Sequence, residues 1–176
     1  LGVSERFEQI EVGQFKTTYF SRFFPKIQID VTKASLTEIK QLFSNHTKIF
    51  SLFNSYKLNY KEGYRVVKKD NEIVAGIQAN KVSWTIHNLP DFMGWLTRNV
   101  LHYLPIIGRL SPRNEMSFTG FEGVFYKEGH LDDLIRLMEH CLAEQNVYTG
   151  IISLDVQDKI FQSLSQHKNL GLMNKI

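Results

Sequence analysis

The 176-residue chain is poor in several features that define whole classes of protein. Its one cysteine, Cys141, excludes a disulfide framework and a zinc site built on several thiolates. The formal net charge is only +3, which is too weak to point to nucleic acid or to an anionic membrane as a partner. The six histidines are scattered, and none forms the i, i+4 pair of a helical metal site. We therefore expect neither a metal nor a nucleic-acid partner.

The chain also lacks a long apolar run. Its most apolar window, residues 92–110, is interrupted by two arginines, a histidine and a proline, whereas a membrane span needs about 20 mostly apolar residues. The chain begins at Leu1 rather than at a methionine, and no basic stretch followed by an apolar run precedes the first predicted element. We expect a piece of a longer cytoplasmic protein that has no membrane partner.

Aromatic residues are abundant, with 13 Phe, 7 Tyr and 2 Trp. Five of these rings fall within residues 15–24, where two adjacent threonines favour a strand. Rings interleaved with basic residues can stack on the bases of single-stranded nucleic acid, but that binding also requires a basic groove. The weak net charge favours a strand that buries these rings.

Turn and capping signals define the first half of the fold. Alternating apolar residues predict a half-buried strand over residues 27–31, and Ser35 with Glu38 forms the capping-box pattern that opens a helix. Asp70 and Asn71 both tolerate positive φ and therefore predict the turn of a β-hairpin.

The second half of the chain is predicted to form alternating strands and helices. Along residues 72–86 the apolar residues shift from odd to even positions, which predicts a bulge or bend near Asn80. Gly120 and Gly123 suggest a bulge or a close backbone approach in the next strand. The further predicted elements are a helix from residue 92 to 104, a strand over 116–126, a helix over 131–145, a strand over 147–156 and a helix over 159–167.

These elements predict an α/β or α+β fold with a central mixed, mostly antiparallel sheet flanked by helices. The early strands are joined by a hairpin, whereas a helical crossover joins the last two. We expect two units: an N-terminal strand segment of residues 1–26, packing on a neighbouring lobe, and a main domain of residues 27–176.

The turn at residues 127–130 is the clearest candidate site. It follows a strand and precedes a helix, and a helix N-terminus with free N–H groups favours an anion such as phosphate. Gly129 would allow the backbone to approach a ligand. Asp132 and Asp133 in the first helical turn stabilise the empty helix but would repel a diphosphate.

Three stretches then suggest a family: residues 28–43, residues 70–77 and residues 152–156. They resemble, in that order, the opening strand and helix, the hairpin, and the strand after the acetyl-CoA helix of the Gcn5-related N-acetyltransferase (GNAT) superfamily. The resemblance runs from about residue 27 to the end of the chain and rests on element order. It implies a GNAT-like acyl-CoA N-acyltransferase fold.

The resemblance also implies an activity and a site. Members transfer an acyl group from acetyl-CoA or a related acyl-CoA to an amine, here an unknown small molecule or peptide. In the family a glutamate on the splayed strand often acts as the base, and Glu122 lies in the matching strand. The implied cofactor-binding residues are Val124, Tyr126, Lys127, Glu128, Gly129, His130 and Leu131.

Two departures from the family pattern support an alternative. Tyr126 stands where the turn normally has Arg or Gln, and Leu131 stands where it has a second small residue. The tyrosine that many members use as general acid is absent from residues 159–167, and Ser165 lies near its place. The alternative is a catalytically silent domain of the same fold, used for ligand binding or for assembly with a second lobe or in a homodimer.

The predicted helical insert at residues 92–110 allows a further hypothesis. In the family fold it would lie near the acceptor groove. Trp95 and Tyr103, with the aliphatic residues around them, could shape an apolar acceptor or acyl pocket. Packing into the core is the alternative.

Overall fold

The computed structural model describes residues 15–44, 55–59, 63–85, 87, 91–104, 108 and 115–167. The strands are β1 (Phe15–Ser21), β2 (Thr32–Lys33), β3 (Tyr64–Lys69), β4 (Glu72–Thr85), β5 (Glu115–Tyr126) and β6 (Thr149–Asp155). The helices are α1 (Leu36–Leu42), α2 (Asp91–Asn99), α3 (Leu131–Gln145) and α4 (Lys159–Gln166), with 3-10 turns at Ser55–Asn59 and Leu101–Tyr103.

All six strands form one sheet in the order β1-β6-β5-β4-β3-β2. Every neighbouring pair is antiparallel except β5 and β6, which are parallel and are connected by α3. The predicted mixed, mostly antiparallel sheet flanked by helices is therefore confirmed.

Strand β1 is an edge strand of this sheet. It pairs with β6 along its whole length, from Phe15 opposite Asp155 to Ser21 opposite Thr149. Part of the segment that the sequence assigns to residues 1–26 thus belongs to the same sheet as the rest of the fold. A neighbouring lobe against this segment stays a prediction.

The sheet separates two apolar cores. The larger core packs α3 against one face, and its helical residues include Leu134, Met138 and Cys141. Burial raises the pKa of the Cys141 thiol to about 12, so the thiol stays protonated and acts as a packed apolar group. The smaller core lies on the other face, where α1 and the first 3-10 turn cover the sheet around Tyr64.

Short-range sequence patterns predicted several elements correctly. Asp70 and Asn71 have φ values of 51° and 62°, as a two-residue hairpin turn requires. The capping box of α1 is complete: the Ser35 hydroxyl accepts from the Glu38 N–H at 3.3 Å, and the Glu38 carboxylate accepts from the Ser35 N–H at 2.8 Å. These elements depend on neighbouring residues alone, which is why the sequence reveals them.

The predicted bulge near Asn80 is wrong. The register between β4 and β5 runs without interruption from Gln78 opposite Glu122 to Thr85 opposite Glu115. The middle of β4 is buried on both faces, so its apolar residues do not need to alternate. The shift of these apolar residues from odd to even positions therefore does not indicate a change in backbone register.

The irregularity in the ladder between β4 and β5 lies in β5 instead. Between the pair Gly76–Phe125 and the pair Gln78–Glu122, β4 has one residue and β5 has two. Gly123 is the residue in β5 with positive φ, at 57°, which marks it as the bulged position. The sequence pointed correctly to a bulge or close approach at this glycine.

Gly123 is fixed by contacts as well as by its backbone angle. A Cβ atom built on Gly123 would lie 2.5 Å from the Leu58 side chain, so no larger residue fits without displacing that side chain. The buried Tyr64 hydroxyl donates a hydrogen bond to the Gly123 carbonyl. The bulge is thus held from the face of the sheet that carries the smaller core.

The predicted strand at residues 27–31 is also wrong, because only Thr32–Lys33 pair with β3. The chain before them is held by a buried carboxylate on α3. Glu139 accepts from the Arg22 guanidinium at 3.1 Å and from the Lys26 backbone N–H at 3.1 Å. This contact spans more than 100 residues of sequence, so a local apolar alternation could not reveal it.

The helical insert does not pack its aromatic residues into the core. Phe92 and Trp95 on α2 are 71% and 55% exposed, and their rings stack with centroids 6.0 Å apart. Val100 then separates α2 from the second 3-10 turn, on which Tyr103 is also exposed. The predicted single helix is therefore two shorter segments. No described helix is long and apolar enough to span a membrane.

A substitution at Gly150 tests the packing between the parallel strands β5 and β6. A Cβ atom at this position would overlap the Phe121 ring, and Phe121 is itself buried. We expect Gly150→Ala to lower the free energy of unfolding by about 1–3 kcal/mol, measured by urea denaturation. Gly120→Ala is the matched control, since its Cβ would meet only ordinary contacts at 3.7 Å. Equal stability of the two variants would contradict the observed packing.

The capping box predicts a pH-dependent stability. Hydrogen bonds from Lys68 and from Ser35 lower the pKa of Glu38 to about 2. Its stabilising effect is therefore complete above the ordinary value of 4.5 and disappears as the pH falls toward 2. We expect Glu38→Gln to lower Tm at pH 7, with a difference from wild type that shrinks between pH 4.5 and pH 2. Glu128→Gln is the control, and a Tm difference for Glu38→Gln that does not change with pH would refute the prediction.

Candidate functional site

The two parallel strands diverge soon after they meet. β5 and β6 pair only from Thr119 opposite Gly150 to Phe121 opposite Ile152. Both strands continue beyond this point, but the ladder between them has ended. A gap therefore opens between β5 and β6 on the side of the sheet that leads to α3 and α4.

Backbone groups of β5 face this gap. The Lys127 N–H donates to the Val74 carbonyl at 2.8 Å and so points toward β4. Amide directions alternate along a strand, so the N–H groups of Val124 and Tyr126 point toward β6 instead. Among the described strands none pairs with β5 there. These amides can bind the amide groups of an extended ligand.

The turn after β5 ends on an unobstructed glycine. The His130 N–H donates to the Lys127 carbonyl at 2.9 Å, which closes the turn. Gly129 has a φ of 81°, and a Cβ atom at this position would meet nothing within 4 Å. Glycine is needed here for its conformation, and the space beside it is open to a ligand.

The N-terminus of α3 begins directly after this turn. His130 occupies the N-cap position, and no side chain there accepts a hydrogen bond from the first turn. The first N–H groups of a 15-residue helix therefore lack intrahelical partners and lie at the positive end of its dipole. This is the arrangement that favours a phosphate group.

Both carboxylates expected to repel such a group are already engaged. Asp133 is buried, and its Oδ2 lies 2.7 Å from Lys69 Nζ and 2.7 Å from His130 Nδ1. Burial alone would raise the pKa of Asp133, but Lys69 and His130 hold it below its usual value. Asp132 Oδ1 lies 3.0 Å from His167 Nε2. The repulsion predicted from the sequence is therefore partly offset by these partners.

A cavity of about 540 Å³ lies between the end of β5, the turn and α4. This is the size of a small-molecule site. Four of the seven sequence-predicted cofactor residues line it together with three residues of α4. The lining residues are Tyr126, Glu128, Gly129, Leu131, Lys159, Ile160 and Ser163.

The other three predicted cofactor residues lie elsewhere. The Val124 side chain packs in the α3-side core, so only its backbone faces the gap. Lys127 forms an ion pair with Glu72 of β4 at 2.5 Å. The His130 side chain contacts Asp133. Lys159 is thus the only cationic side chain among the described residues that line the cavity.

A hydrogen bond connects β5 to α4 beside the cavity. The Tyr126 hydroxyl donates to Ser163 Oγ at 2.8 Å. Ser165, which the sequence placed near the family's tyrosine, donates to the Gln162 carbonyl of its own helix at 2.9 Å. Sequence reasoning missed Ser163 and Lys159, although their i, i+4 spacing places them on one side of α4.

Glu122 lies on the other face of the sheet from α3. Its cross-strand partner is Gln78, and opposite residues of a pair share one face. Gln78 Nε2 donates to the Lys57 carbonyl at 3.1 Å, on the side of the smaller core. Glu122 is exposed, and none of the described cationic side chains pairs with it. The structure therefore leaves this carboxylate accessible.

Gln78 is a further polar residue that sequence reasoning missed. It is 2% exposed, and its Oε1 atom has no hydrogen-bond partner among the residues that the structure describes. A buried acceptor left without a donor costs about 1–3 kcal/mol. The sequence feature that could have revealed Gln78 is a glutamine in the middle of an apolar central strand.

Among the described residues no cluster of three His, Cys, Asp or Glu could hold a metal ion.

Comparisons with known proteins concern the fold. No protein-family model matches the chain, and no curated protein matches it significantly. An aminoglycoside acetyltransferase from an uncultured soil metagenomic sample is 14% identical, with a TM-score of 0.46 over 85% of this chain and 94% of that one. A predicted acetyltransferase from Clostridium acetobutylicum, solved with acetyl-CoA, is 9% identical, with a TM-score of 0.41 over 85% and 96%. The chain is similar in fold to these acetyltransferases.

Proposed function

We propose that the protein is a cytoplasmic acyltransferase of GNAT-like fold that transfers an acyl group from acetyl-CoA or a related acyl-CoA to an amine. One observation carries the proposal: the gap between β5 and β6 opens onto the uncapped N-terminus of α3. A CoA thioester has amide groups along its pantetheine arm and a diphosphate at the end of it. The gap and the helix end match these two parts in order.

The chain's own residues provide the contacts. The backbone amides of Val124 and Tyr126 would bind the pantetheine amides along the free side of β5. The N–H groups that follow Gly129 would bind the diphosphate, and the Lys159 ammonium adds a positive charge beside them. The cavity volume of about 540 Å³ leaves room for this part of the ligand.

Glu122 is the proposed general base. When the acceptor nitrogen attacks the thioester carbonyl carbon, the C–S bond breaks and the CoA thiolate leaves. The nitrogen must lose a proton in this step, and the exposed Glu122 carboxylate can accept it. A small-molecule or peptide amine can reach this residue from the face opposite α3.

Two observations favour a second candidate function, a catalytically silent domain of the same fold. The Tyr126–Ser163 hydrogen bond crosses from β5 to α4 beside the cavity. The hydroxyl nearest the place of the family's acid, that of Ser165, donates a hydrogen bond to the Gln162 carbonyl of its own helix. Such a domain would bind CoA without turnover, or would serve assembly with a second lobe or a second copy.

Titration calorimetry with acetyl-CoA and with CoA tests the binding site. We expect 1:1 binding with a Kd between about 1 μM and 1 mM. Lys159→Gln should weaken it about threefold to fivefold and reduce its salt dependence. Lys33→Gln is the matched control, because it removes the same charge from β2 at the other edge of the sheet. No heat at millimolar acetyl-CoA would overturn the proposal.

An assay of turnover distinguishes the acyltransferase from the catalytically silent domain. Release of the CoA thiol from acetyl-CoA is followed with a thiol reagent in the presence of a panel of primary amines and peptide N-termini. We expect Glu122→Gln to lower the rate by about 10²–10⁴-fold without changing the Kd for acetyl-CoA. Glu115→Gln, on the same strand, should change neither. Tight acetyl-CoA binding without thiol release for any acceptor would favour the silent domain.

A further inference from the structure

The side chain of Tyr64 crosses the sheet from β3 over β4 to β5. Tyr64 lies opposite Gln78, and Gly76 lies two residues before Gln78 on the same face of β4. A Cβ atom on Gly76 would lie 2.6 Å from Cε1 of the Tyr64 ring and 2.9 Å from its hydroxyl oxygen. Gly76 does not have a positive φ, so glycine is required there for space and not for its conformation. The Tyr64 ring occupies the room that the missing side chain leaves.

The Tyr64 hydroxyl satisfies a carbonyl that the bulge leaves unpaired. Gly123 and Val124 lie outside the ladder with β4, opposite Ile77 alone, and the ladder between β5 and β6 has already ended at Phe121. The Gly123 carbonyl therefore has no partner on a neighbouring described strand, and it accepts from the Tyr64 hydroxyl instead. Burial raises the pKa of Tyr64 well above its ordinary value of 10, so the hydroxyl remains a donor at physiological pH.

Tyr64 is itself held by the smaller core. Its ring contacts the ring of Phe43 edge-on, with centroids 6.0 Å apart and an interplanar angle of 89°. Leu58 belongs to the same core, and its side chain fills the space next to Gly123. The smaller core therefore restrains the bulge at two points, through a hydrogen bond to the carbonyl and through a packed side chain beside the Cα atom.

The bulge determines where the backbone amides that follow it point. The N–H groups of Val124 and Tyr126 face the gap between β5 and β6, whereas the Lys127 N–H donates to the Val74 carbonyl of β4. A slip of one residue in a strand reverses the direction of every amide that follows. If β5 lost its extra residue at Gly123, the amides of Val124 and Tyr126 would turn toward β4 and away from the gap.

We propose that Tyr64 is a positioning residue for the acyl-CoA site: its hydroxyl fixes the bulge at Gly123 and so keeps the Val124 and Tyr126 amides directed into the gap. Tyr64 is not among the residues that line the cavity beside α4, and it acts through the backbone of β5. That the gap takes an acyl-CoA rests on the proposed function. The direction of the amides is a property of the chain without any ligand.

NMR of 13C,15N-labelled protein without ligand tests the positioning. Tyr64→Phe keeps the ring and removes only the hydroxyl, so the Gly123 carbonyl signal and the Val124 and Tyr126 amide signals should all shift. The Lys127 N–H should exchange with solvent about threefold to tenfold faster, because the ladder beside the bulge opens more easily. A shift at Gly123 with unchanged Val124 and Tyr126 signals would overturn the inference, since the hydroxyl would then contact the bulge without directing the amides.

Ile39→Val is the matched control. Ile39 is fully buried in the same smaller core, and the substitution removes one methylene group without touching the Tyr64 hydroxyl. It should lower Tm and leave the signals of Gly123, Val124 and Tyr126 in place. Shifts as large as those in Tyr64→Phe would mean that any loss of core packing moves the bulge, and the inference would fail.

Titration calorimetry with acetyl-CoA separates this inference from the proposed function. We expect Tyr64→Phe to raise the Kd about threefold to tenfold and Ile39→Val to leave it unchanged. If wild type and Tyr64→Phe bind acetyl-CoA equally, the inference fails and the acyltransfer proposal stands. If wild type does not bind acetyl-CoA, the acyltransfer proposal fails, and the Val124 and Tyr126 signals still decide whether Tyr64 directs the amides.

A second variant covers the case that Tyr64→Phe does not fold. Gly76→Ala keeps the hydroxyl, but its Cβ atom would overlap the Tyr64 ring and so move the hydroxyl away from Gly123. The Gly123 carbonyl and Tyr126 amide signals should then shift. Gly120→Ala is the control, because its Cβ atom would meet only ordinary contacts at 3.7 Å. Signals in Gly76→Ala that move no more than in this control would overturn the inference.

Discussion

The bulge at Gly123 is the constraint on which the rest of the site depends. In a regular strand, residues two apart share a face of the sheet. Because Gly123 inserts one extra residue, Glu122 lies on the face opposite α3, whereas Val124 packs in the α3-side core. The bulge also follows the point at which β5 leaves β6. One backbone irregularity thus coincides with both the divergence of the strands and the change of face.

This change of face separates two kinds of chemistry along one strand. Beyond the bulge, the backbone amides of β5 and the N-terminus of α3 present donors, which suit the amides and diphosphate of a CoA thioester. Before the bulge, the exposed Glu122 carboxylate presents an acceptor, which suits an amine. An acyl donor and an acyl acceptor would therefore approach β5 from different sides. Such an arrangement brings the two reactants together at the bulge.

The sequence predicted what short-range rules determine. The capping box at Ser35, the turn at Asp70 and the helix over residues 131–145 follow from adjacent residues or from a helical repeat, and all are present. The missed features depend on distant contacts. The chain just before residues 27–31 is held by Glu139, which accepts from the Lys26 N–H, and the position of Gln78 opposite Glu122 follows from the pairing of β4 with β5.

The hydrogen bond between Tyr126 and Ser163 does not by itself close the proposed CoA site. A bond between two neutral hydroxyls contributes about 0.5–1.5 kcal/mol net, so opening it would raise a Kd by about tenfold at most. The uncapped helix end would provide charge-assisted hydrogen bonds to a diphosphate, each stronger than the one lost. The departures from the family pattern at Tyr126 and Leu131 would therefore lower the affinity for the proposed CoA ligand only in degree, and they leave the divergence of β5 and β6 intact.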